Sequence, residues 1–443
     1  MVSFLRGISS RPTRVVTSTF SRQALAHRCP NPRSIEGQEH REQELSLTVQ
    51  LPRKELFDIP AGVIYLDGNS LGPLPATVSA HVTDVIEHQW GAQLIRAWNE
   101  SDWMGQPARV GDRIARLIGA PAGSVVMGDT LSIKVYQALA ASLELRPDRR
   151  IILSDTGNFP TDLYMAEGLL RTLDGDHELR VVDPENVEHC IDESVAVVML
   201  TQVDYRSGRL HDMQRLTALT QEAGAISLWD LAHSAGALPV ELTATQCEFA
   251  VGCTYKYLNG GPGSPAFIYV RPDLIQRIQP ALSGWMGHDA PFAFEPDYRP
   301  APSVQRMRVG TPPVIQMSAL EAALDAWEGV DMQAIRAASI ALSERFILEV
   351  DQRCPALTLA SPRDPQSRGS QVSFTCQHGY AIMQALIAQG VIGDFRAPNI
   401  IRFGITPLYL DETDIISAVD ILQEVLDNER WKQPQFQVKR EVT

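Results

Sequence analysis

The chain has 443 residues, of which 44% are hydrophobic and 21% charged, and its formal net charge is −14. This composition predicts a folded protein long enough for two domains with buried cores. The acidic balance argues against a nucleic-acid partner. Because no run reaches the roughly 18 apolar residues of a membrane-spanning helix, no membrane span is predicted.

The cysteines predict neither a disulfide framework nor a metal site. Six are scattered along the chain without a Cys-x-x-Cys pair or a neighbouring cluster of histidines. Unpaired cysteines in apolar surroundings are typical of a reducing compartment, so the cytoplasm is the default prediction.

The first 35 residues complicate that default, because they contain six arginines, six serines and no acidic residue. Such a segment resembles a mitochondrial transit peptide, although a disordered extension is the interpretation we favour. We predict that residues 1–45 lie outside the fold. Residues 46–313 are predicted to form an arm and a large domain, and residues 314–443 a linking helix and a small domain.

The first predicted elements are a short strand at 63–66, a turn-rich loop at 67–75 and helical patterning over 77–119. Trp90, Trp98 and Trp103 in the helical stretch either line a pocket for an arylamine or pack in the core.

A candidate anion site follows the apolar run at 125–127. Gly128 to Ser132 open a predicted helix over 133–143, and a helix N-terminus presents unpaired N–H groups and positive potential. The hydroxyls of Thr130 and Ser132 either bind a phosphate there or simply cap the helix.

The middle of the chain predicts a largely parallel sheet. A βαβ unit is indicated by strands at 195–200 and 226–229 with a helix near 213–223 between them. Ligands of such sheets bind beyond the carboxyl ends of the strands, where Thr201, Asp230 and Lys256 are expected to converge.

Lys256 and Asp230 carry the chemical prediction. An amine placed after the apolar run 249–253 loses favourable solvation of its charge and becomes a nucleophile able to form a Schiff base, although a solvated surface lysine shows the same pattern. Asp230 ends a strand, and a carboxylate there suits the pyridinium nitrogen of pyridoxal phosphate. His233 follows three residues later, within reach of the same ring.

Downstream, the glycines at 260–263 lack the Gly-Lys-Ser/Thr ending of a nucleotide-binding loop, so a nucleotide site is rejected. A strand at 266–270 and a helix at 314–327 lead into a small domain with a strand at 371–374 and a helix at 380–389. Arg402 lies on its later strand, where a surface ion pair and a carboxylate site are both consistent with the sequence.

Several motifs together resemble one family. Tyr65 to Gly72, Asp230 to His233 and Tyr255 to Asn259 are similar to the kynureninases, which are fold-type-I, class-V-aminotransferase-like pyridoxal phosphate enzymes, and the likeness runs from about residue 65 to 409. The resemblance implies an α/β fold, with a mainly parallel sheet between helices in the large domain and a smaller α+β C-terminal domain. It also implies pyridoxal 5'-phosphate and hydrolysis of L-kynurenine to anthranilate and L-alanine. It does not decide between kynurenine and 3-hydroxykynurenine.

The resemblance also implies residue roles. Lys256, Asp230 and Tyr255 are the expected catalytic residues, and Ser70 and Arg402 the expected substrate-binding residues. The expected cofactor-binding residues, besides those three, are Leu131, Ser132, Phe159, Pro160, Thr161, Asp162, Thr201, His233, Trp285 and Thr311. A homodimer is expected, in which Trp285 and Thr311 serve the neighbour's cofactor. Lys134 and Thr311 each stand where an asparagine is usual.

Two other classes of function compete with this interpretation. A cysteine desulfurase or aminotransferase has the same fold, but a desulfurase needs a cysteine shortly before the carboxylate-binding arginine, and residues 391–401 contain none. A non-catalytic pyridoxal phosphate-binding regulator would have lost catalytic groups, whereas Lys256, Asp230 and Arg402 are all present.

Overall fold

The computed structural model describes residues 51 and 53–439. The predicted extension at 1–45 lies outside the described residues. The strands are β1 (Ile64–Tyr65), β2 (Val125–Met127), β3 (Ile151–Asp155), β4 (Glu178–Val182), β5 (Val195–Thr201), β6 (Ile226–Asp230), β7 (Phe249–Gly252), β8 (Phe267–Val270), β9 (Thr358–Leu359), β10 (Gln371–Thr375), β11 (Val391–Ile392), β12 (Asp394–Arg396) and β13 (Ile400–Gly404).

Seven strands form the central sheet in the order β2-β8-β7-β6-β5-β3-β4. The pairs β4–β3, β3–β5, β5–β6 and β6–β7 are parallel. Strand β8 runs antiparallel to both of its neighbours, β2 and β7. All seven residues of β5 and all five of β6 are buried, as expected for strands covered on both faces. The predicted, mainly parallel sheet is therefore confirmed.

Helices cover the sheet and join it to the C-terminal part. They are α1 (Ala76–Asp84), α2 (Ala97–Glu100), α3 (Gln106–Leu117), α4 (Leu131–Glu144), α5 (Pro160–Leu170), α6 (Met213–Glu222), α7 (Leu242–Thr245), α8 (Val314–Ala323), α9 (Met332–Arg353), α10 (Gly379–Ile387), α11 (Glu412–Asp427) and α12 (Pro434–Gln437). None of the helices in the described part of the chain is long and apolar enough to cross a bilayer.

The helical patterning over 77–119 predicted longer helices than the structure contains. After α1 the chain makes a π-helical segment, Val85–Gln93, and then Leu94 adopts a φ of 55°. Asp102 adopts a φ of 48° before α3 begins. Apolar periodicity does not report such left-handed residues, because they interrupt the backbone without changing the pattern of side chains.

The C-terminal part contains a four-stranded sheet in the order β12-β13-β10-β9, packed with α9 and α10, and α11 packs against both of these helices. The N-terminal arm joins this part, because β1 pairs with β11 and the Gly404 N–H donates to the Leu66 carbonyl at 2.7 Å. The loop that carries Ser70 is thereby held against the strand that carries Arg402.

Candidate active site

The sheet brings three of the predicted residues to one edge. Thr201 and Asp230 end the neighbouring strands β5 and β6 and lie opposite each other in register. Asp230 is in turn opposite Val251 on β7, and Lys256 follows the end of that strand by four residues. The expected convergence at the carboxyl ends of the strands is confirmed. The Thr201 hydroxyl, however, donates to the Val203 carbonyl at 3.3 Å, so it closes a turn.

Lys256 is held against His233 rather than released to solvent. Its Nζ lies 2.8 Å from His233 Nε2, and it also lies 6.0 Å from the centre of the Phe159 ring. Burial, together with the charges of Lys256, Arg402 and Arg396, holds the pKa of His233 well below its usual range. His233 is therefore neutral, and its other nitrogen, Nδ1, is buried without a partner.

Two buried carboxyl groups lie beside this amine. Burial raises the pKa of Asp230 to about 6, although the charge of Lys256 and the Ala232 N–H, which donates to Asp230 Oδ1 at 2.8 Å, lower it. Burial and the nearby charge of Asp230 raise the pKa of Asp162 well above its usual range. Both carboxyl oxygens of Asp162 are buried without a hydrogen-bond partner. A carboxyl pair of this kind suits a protonated ring nitrogen, which would satisfy the unpartnered oxygens.

Phe159 is presented to the site by the start of α5. Asn158 Oδ1 accepts from the Phe159 N–H at 2.8 Å, and Asn158 Nδ2 donates to Ser154 Oγ at 3.0 Å, which ties the turn to β3. The Phe159 ring is 41% exposed and packs edge-on against Tyr205 with centroids 5.1 Å apart. Pro160 and Thr161 form the first turn of α5 beside it. The ring therefore presents one free face on the side of Lys256, where a flat heterocycle can stack.

The N-terminus of α4 shares a cavity with Tyr255, the residue before Lys256. Thr130 is its N-cap but makes no side-chain capping bond, so the first-turn N–H groups stay available to an anion. A cavity of about 340 Å³ borders it. The cavity is lined by Ser70, Leu71, Thr130, Leu131, Cys253, Tyr255, Pro262, Gly263, Ser264 and Ala266.

Tyr255 contributes a phenol hydroxyl to that cavity. The neighbouring Cys253 and burial raise the pKa of Tyr255 above its ordinary value, so it stays a phenol that can donate to a phosphate oxygen. The site thus combines a helix N-terminus that can bind an anion, an aromatic face, a carboxyl pair and an amine, which are the groups that pyridoxal phosphate needs, and the residues fit this cofactor.

Ser70 and Arg402, the two expected substrate-binding residues, are hydrogen-bonded to each other, and Arg402 also binds Asp394, a partner that was not predicted from the sequence. Arg402 Nη2 donates to Ser70 Oγ at 3.0 Å, while Arg402 Nε donates to Asp394 Oδ1 at 2.6 Å and its Nη2 to Asp394 Oδ2. Arg402 Nη1 donates to the Tyr205 carbonyl. Asp394 lies directly opposite Arg402 on the neighbouring strand, so an acid eight residues before the arginine was the available signal.

Within the described residues, neither Trp285 nor Thr311 shares a hydrogen bond, a ring contact or a cavity with Lys256. Trp285 is half-exposed in a short 3-10 segment and packs edge-on against Phe292 at 5.7 Å. Thr311 lies in the loop that faces Gly128 and Asp129, just before α4. No group of three metal-binding side chains occurs within the part of the chain that the structure describes.

The fold and the site define a fold-type-I pyridoxal phosphate enzyme. The cysteine desulfurase from Thermococcus onnurineus is similar in structure, with a TM-score of 0.72 and 17% identity over 86% of this chain and 99% of that one. A C-DES mutant with glycine covalently linked to its PLP cofactor gives a TM-score of 0.74 and 19% identity over 84% and 99%.

Sequence comparison identifies the family within this class. Kynureninases from Burkholderia pseudomallei and Pseudomonas fluorescens are each 50% identical to this chain over 399 residues, which is 88% of this chain and 96% of theirs. A family model described as the kynureninase C-terminal domain matches residues 335–422. The chain belongs to the kynureninase family.

Proposed function

We propose that this chain uses pyridoxal phosphate to hydrolyse L-kynurenine to anthranilate and L-alanine. The observation that carries the proposal is the 50% identity with kynureninases over 88% of the chain, with Lys256, His233, Asp230 and Asp162 joined at one edge of the sheet. The role of each residue is inferred from its contacts.

Three parts of the site would hold the cofactor. The first turn of α4 at Leu131 and Ser132, with the Tyr255 hydroxyl, would bind the phosphate. Asp230 and Asp162 would hold the ring nitrogen, and Phe159 would cover one ring face. When bound, the cofactor supplies a ring that accepts electron density from the substrate Cα.

Lys256 is the base that moves the proton at the substrate Cα. Neutral His233 touches its Nζ and keeps the amine directed into the site. Water then adds to the γ-carbonyl carbon, the Cβ–Cγ bond breaks, and the aromatic part leaves as anthranilate. The remaining three-carbon fragment takes up a proton and leaves as alanine, with Tyr255 placed to relay a proton.

Product analysis tests this proposal. The purified protein with pyridoxal phosphate and L-kynurenine should release fluorescent anthranilate and one equivalent of alanine. A desulfurase would act on cysteine and release sulfide, an aminotransferase would need a keto acid and keep the carbon skeleton intact, and a regulator would bind without turnover. Running 3-hydroxy-L-kynurenine in parallel, and comparing kcat/KM, decides between the two substrates.

We further propose a homodimer in which Trp285 and Thr311 serve the partner's cofactor. Large apolar side chains are exposed in two segments, including Trp90 at 56% and Ile95 at 76% in one and Phe294 at 77% in the other. Exposed clusters of this kind suit an interface. Sedimentation should show a dimer, and an active monomer would contradict this arrangement. For the compartment we propose the cytoplasm, and for the domains the division at residue 313.

A further inference from the structure

Arg402 has few hydrogen-bond donors left for a substrate. A guanidinium carries five N–H groups, and those of Arg402 engage both carboxylate oxygens of Asp394, Ser70 Oγ and the Tyr205 carbonyl. One N–H remains. Because a carboxylate is best held by two parallel donors, Arg402 cannot provide that fork alone while it keeps these partners.

The guanidinium group of Arg396 lies beside that of Arg402. Arg396 is two residues after Asp394 on β12, so the two side chains share a face of the sheet, and Arg396 Nη2 lies 2.9 Å from Asp394 Oδ2. Its side chain is 37% exposed, whereas that of Arg402 is 2% exposed. Of these two arginines, Arg396 is therefore the one that an incoming molecule meets first.

The charges of Arg402, Arg396 and Asp394 leave room for one more anion. Asp394 is bound by Arg402, Arg396 and Ser70 Oγ, which donates to its Oδ2 at 2.6 Å. Burial and the charge of Asp394 raise the pKa of the nearby Asp67 to about 7, so this carboxyl is easily protonated. Two guanidinium groups thus face one permanent carboxylate, and a substrate carboxylate would neutralise the remaining positive charge.

Arg402 and Arg396 also lie near the residues that surround Lys256. Tyr205, which accepts from Arg402, packs on Phe159, and the positive charges of Arg402 and Arg396 both act on His233, the partner of Lys256. A carboxylate at this position is within electrostatic reach of His233, which contacts the amine that works on the substrate Cα. An α-amino acid presents its carboxylate and its Cα in this relation.

We propose that Arg396 is a second substrate-binding residue, which holds the α-carboxylate together with the free N–H of Arg402. Asp394 stays between the two guanidinium groups and orients both, so it is a positioning residue. The inference rests on the proposed function only in naming L-kynurenine as the substrate. The same site would take the carboxylate of the product alanine.

The test compares Arg396→Met and Arg396→Lys with wild-type holoenzyme. Arg363→Met is the matched control, since Arg363 lies in the same domain, is mostly exposed and pairs with Asp351. We expect the KM for L-kynurenine to rise about 10-fold to 100-fold in Arg396→Met, the loss of one charge-assisted contact, with a much smaller change in kcat. Arg396→Lys should retain part of the affinity, and the control should match the wild type.

Inhibition by L-alanine and by L-alaninamide separates a binding role from a structural one. Removing a carboxylate contact should abolish most of the preference for alanine over the amide, whereas a loosened site would weaken both ligands equally. Equal weakening, or an unchanged KM in a folded variant, would overturn the inference. If the wild type releases no anthranilate, the proposed function fails separately, and calorimetry with the same two ligands still decides the role of Arg396.

Discussion

Lys134 offers a sharp test of how the phosphate end of the site is supported. Its side chain is fully buried, and its Nζ donates to Asp129 Oδ2 at 3.1 Å, to Gln137 Oε1 at 3.0 Å and to the Met307 carbonyl at 2.9 Å. Burial lowers the pKa of Lys134, while the carboxylate of Asp129 raises it. Through Lys134, these bonds join Asp129, the residue before Thr130, to Met307, which lies in the segment that leads to Thr311.

Lys134→Met keeps the length of the side chain and removes the charge. Breaking a buried pair from one side costs about 3 to 5 kcal/mol, but the Asp129 side chain is 31% exposed and water can solvate part of its charge. Gln137 still donates to the Met307 carbonyl at 3.2 Å, so mainly Gln137 Oε1 is left unpaired, which costs about 1 kcal/mol or more. We expect the free energy of unfolding to fall by about 2 to 3 kcal/mol.

Urea unfolding of the cofactor-free protein measures this loss, and a double-mutant cycle with Asp129→Asn assigns it. The double variant should cost less than the sum of the single variants, because a neutral amide in place of the Asp129 carboxylate leaves no uncompensated charge. The affinity for pyridoxal phosphate should fall as well, since the turn before α4 loses its support. A change below about 0.5 kcal/mol in Lys134→Met would refute the view that this pair stabilises the turn.

Three further predictions concern individual side chains. Lys256→Ala should abolish turnover while circular dichroism shows an unchanged fold, and normal turnover would remove Lys256 from the chemistry. Arg402→Lys keeps the charge but loses the N–H groups that bind Asp394, Ser70 and the substrate carboxylate together, so kcat/KM should fall by roughly 10-fold to 100-fold, and unchanged kinetics would place the carboxylate site elsewhere. Burial raises the pKa of Asp67 from 3.8 to about 7, so the unfolded chain loses this proton first and stability falls as pH rises between those values. Asp67→Asn should therefore gain stability relative to the wild type between about pH 4 and pH 8, by on the order of a few kcal/mol in urea unfolding, and a pH-independent difference would contradict the assignment.

The placement of the main catalytic residues was predictable from sequence because it depends on strands. Apolar runs mark β5, β6 and β7, and parallel strands put the residues after them at one edge, so Thr201, Asp230 and Lys256 had to converge. The partners of Arg402 were not predicted, although Asp394 is close in sequence. Their contact depends on the register of β12 and β13, and a shift of one residue would have turned Asp394 to the other face.

The exposed aromatic and aliphatic side chains show a second limit of the sequence. Trp90 was expected in a pocket or in the core, yet it lies on the surface of the π-helical segment near exposed Ile95. Hydrophobicity predicts that a side chain is buried but not which chain buries it. The roles of Trp285 and Thr311 therefore stay predictions about the dimer.

The most direct test of the account is hydrolysis of L-kynurenine in water enriched in oxygen-18. If water attacks the γ-carbonyl carbon, the released anthranilate carries one labelled oxygen in its carboxylate and the alanine carries none, as mass spectrometry of both products would show. Anthranilate without the label, or its absence while a keto acid or sulfide accumulates, would contradict the proposed reaction.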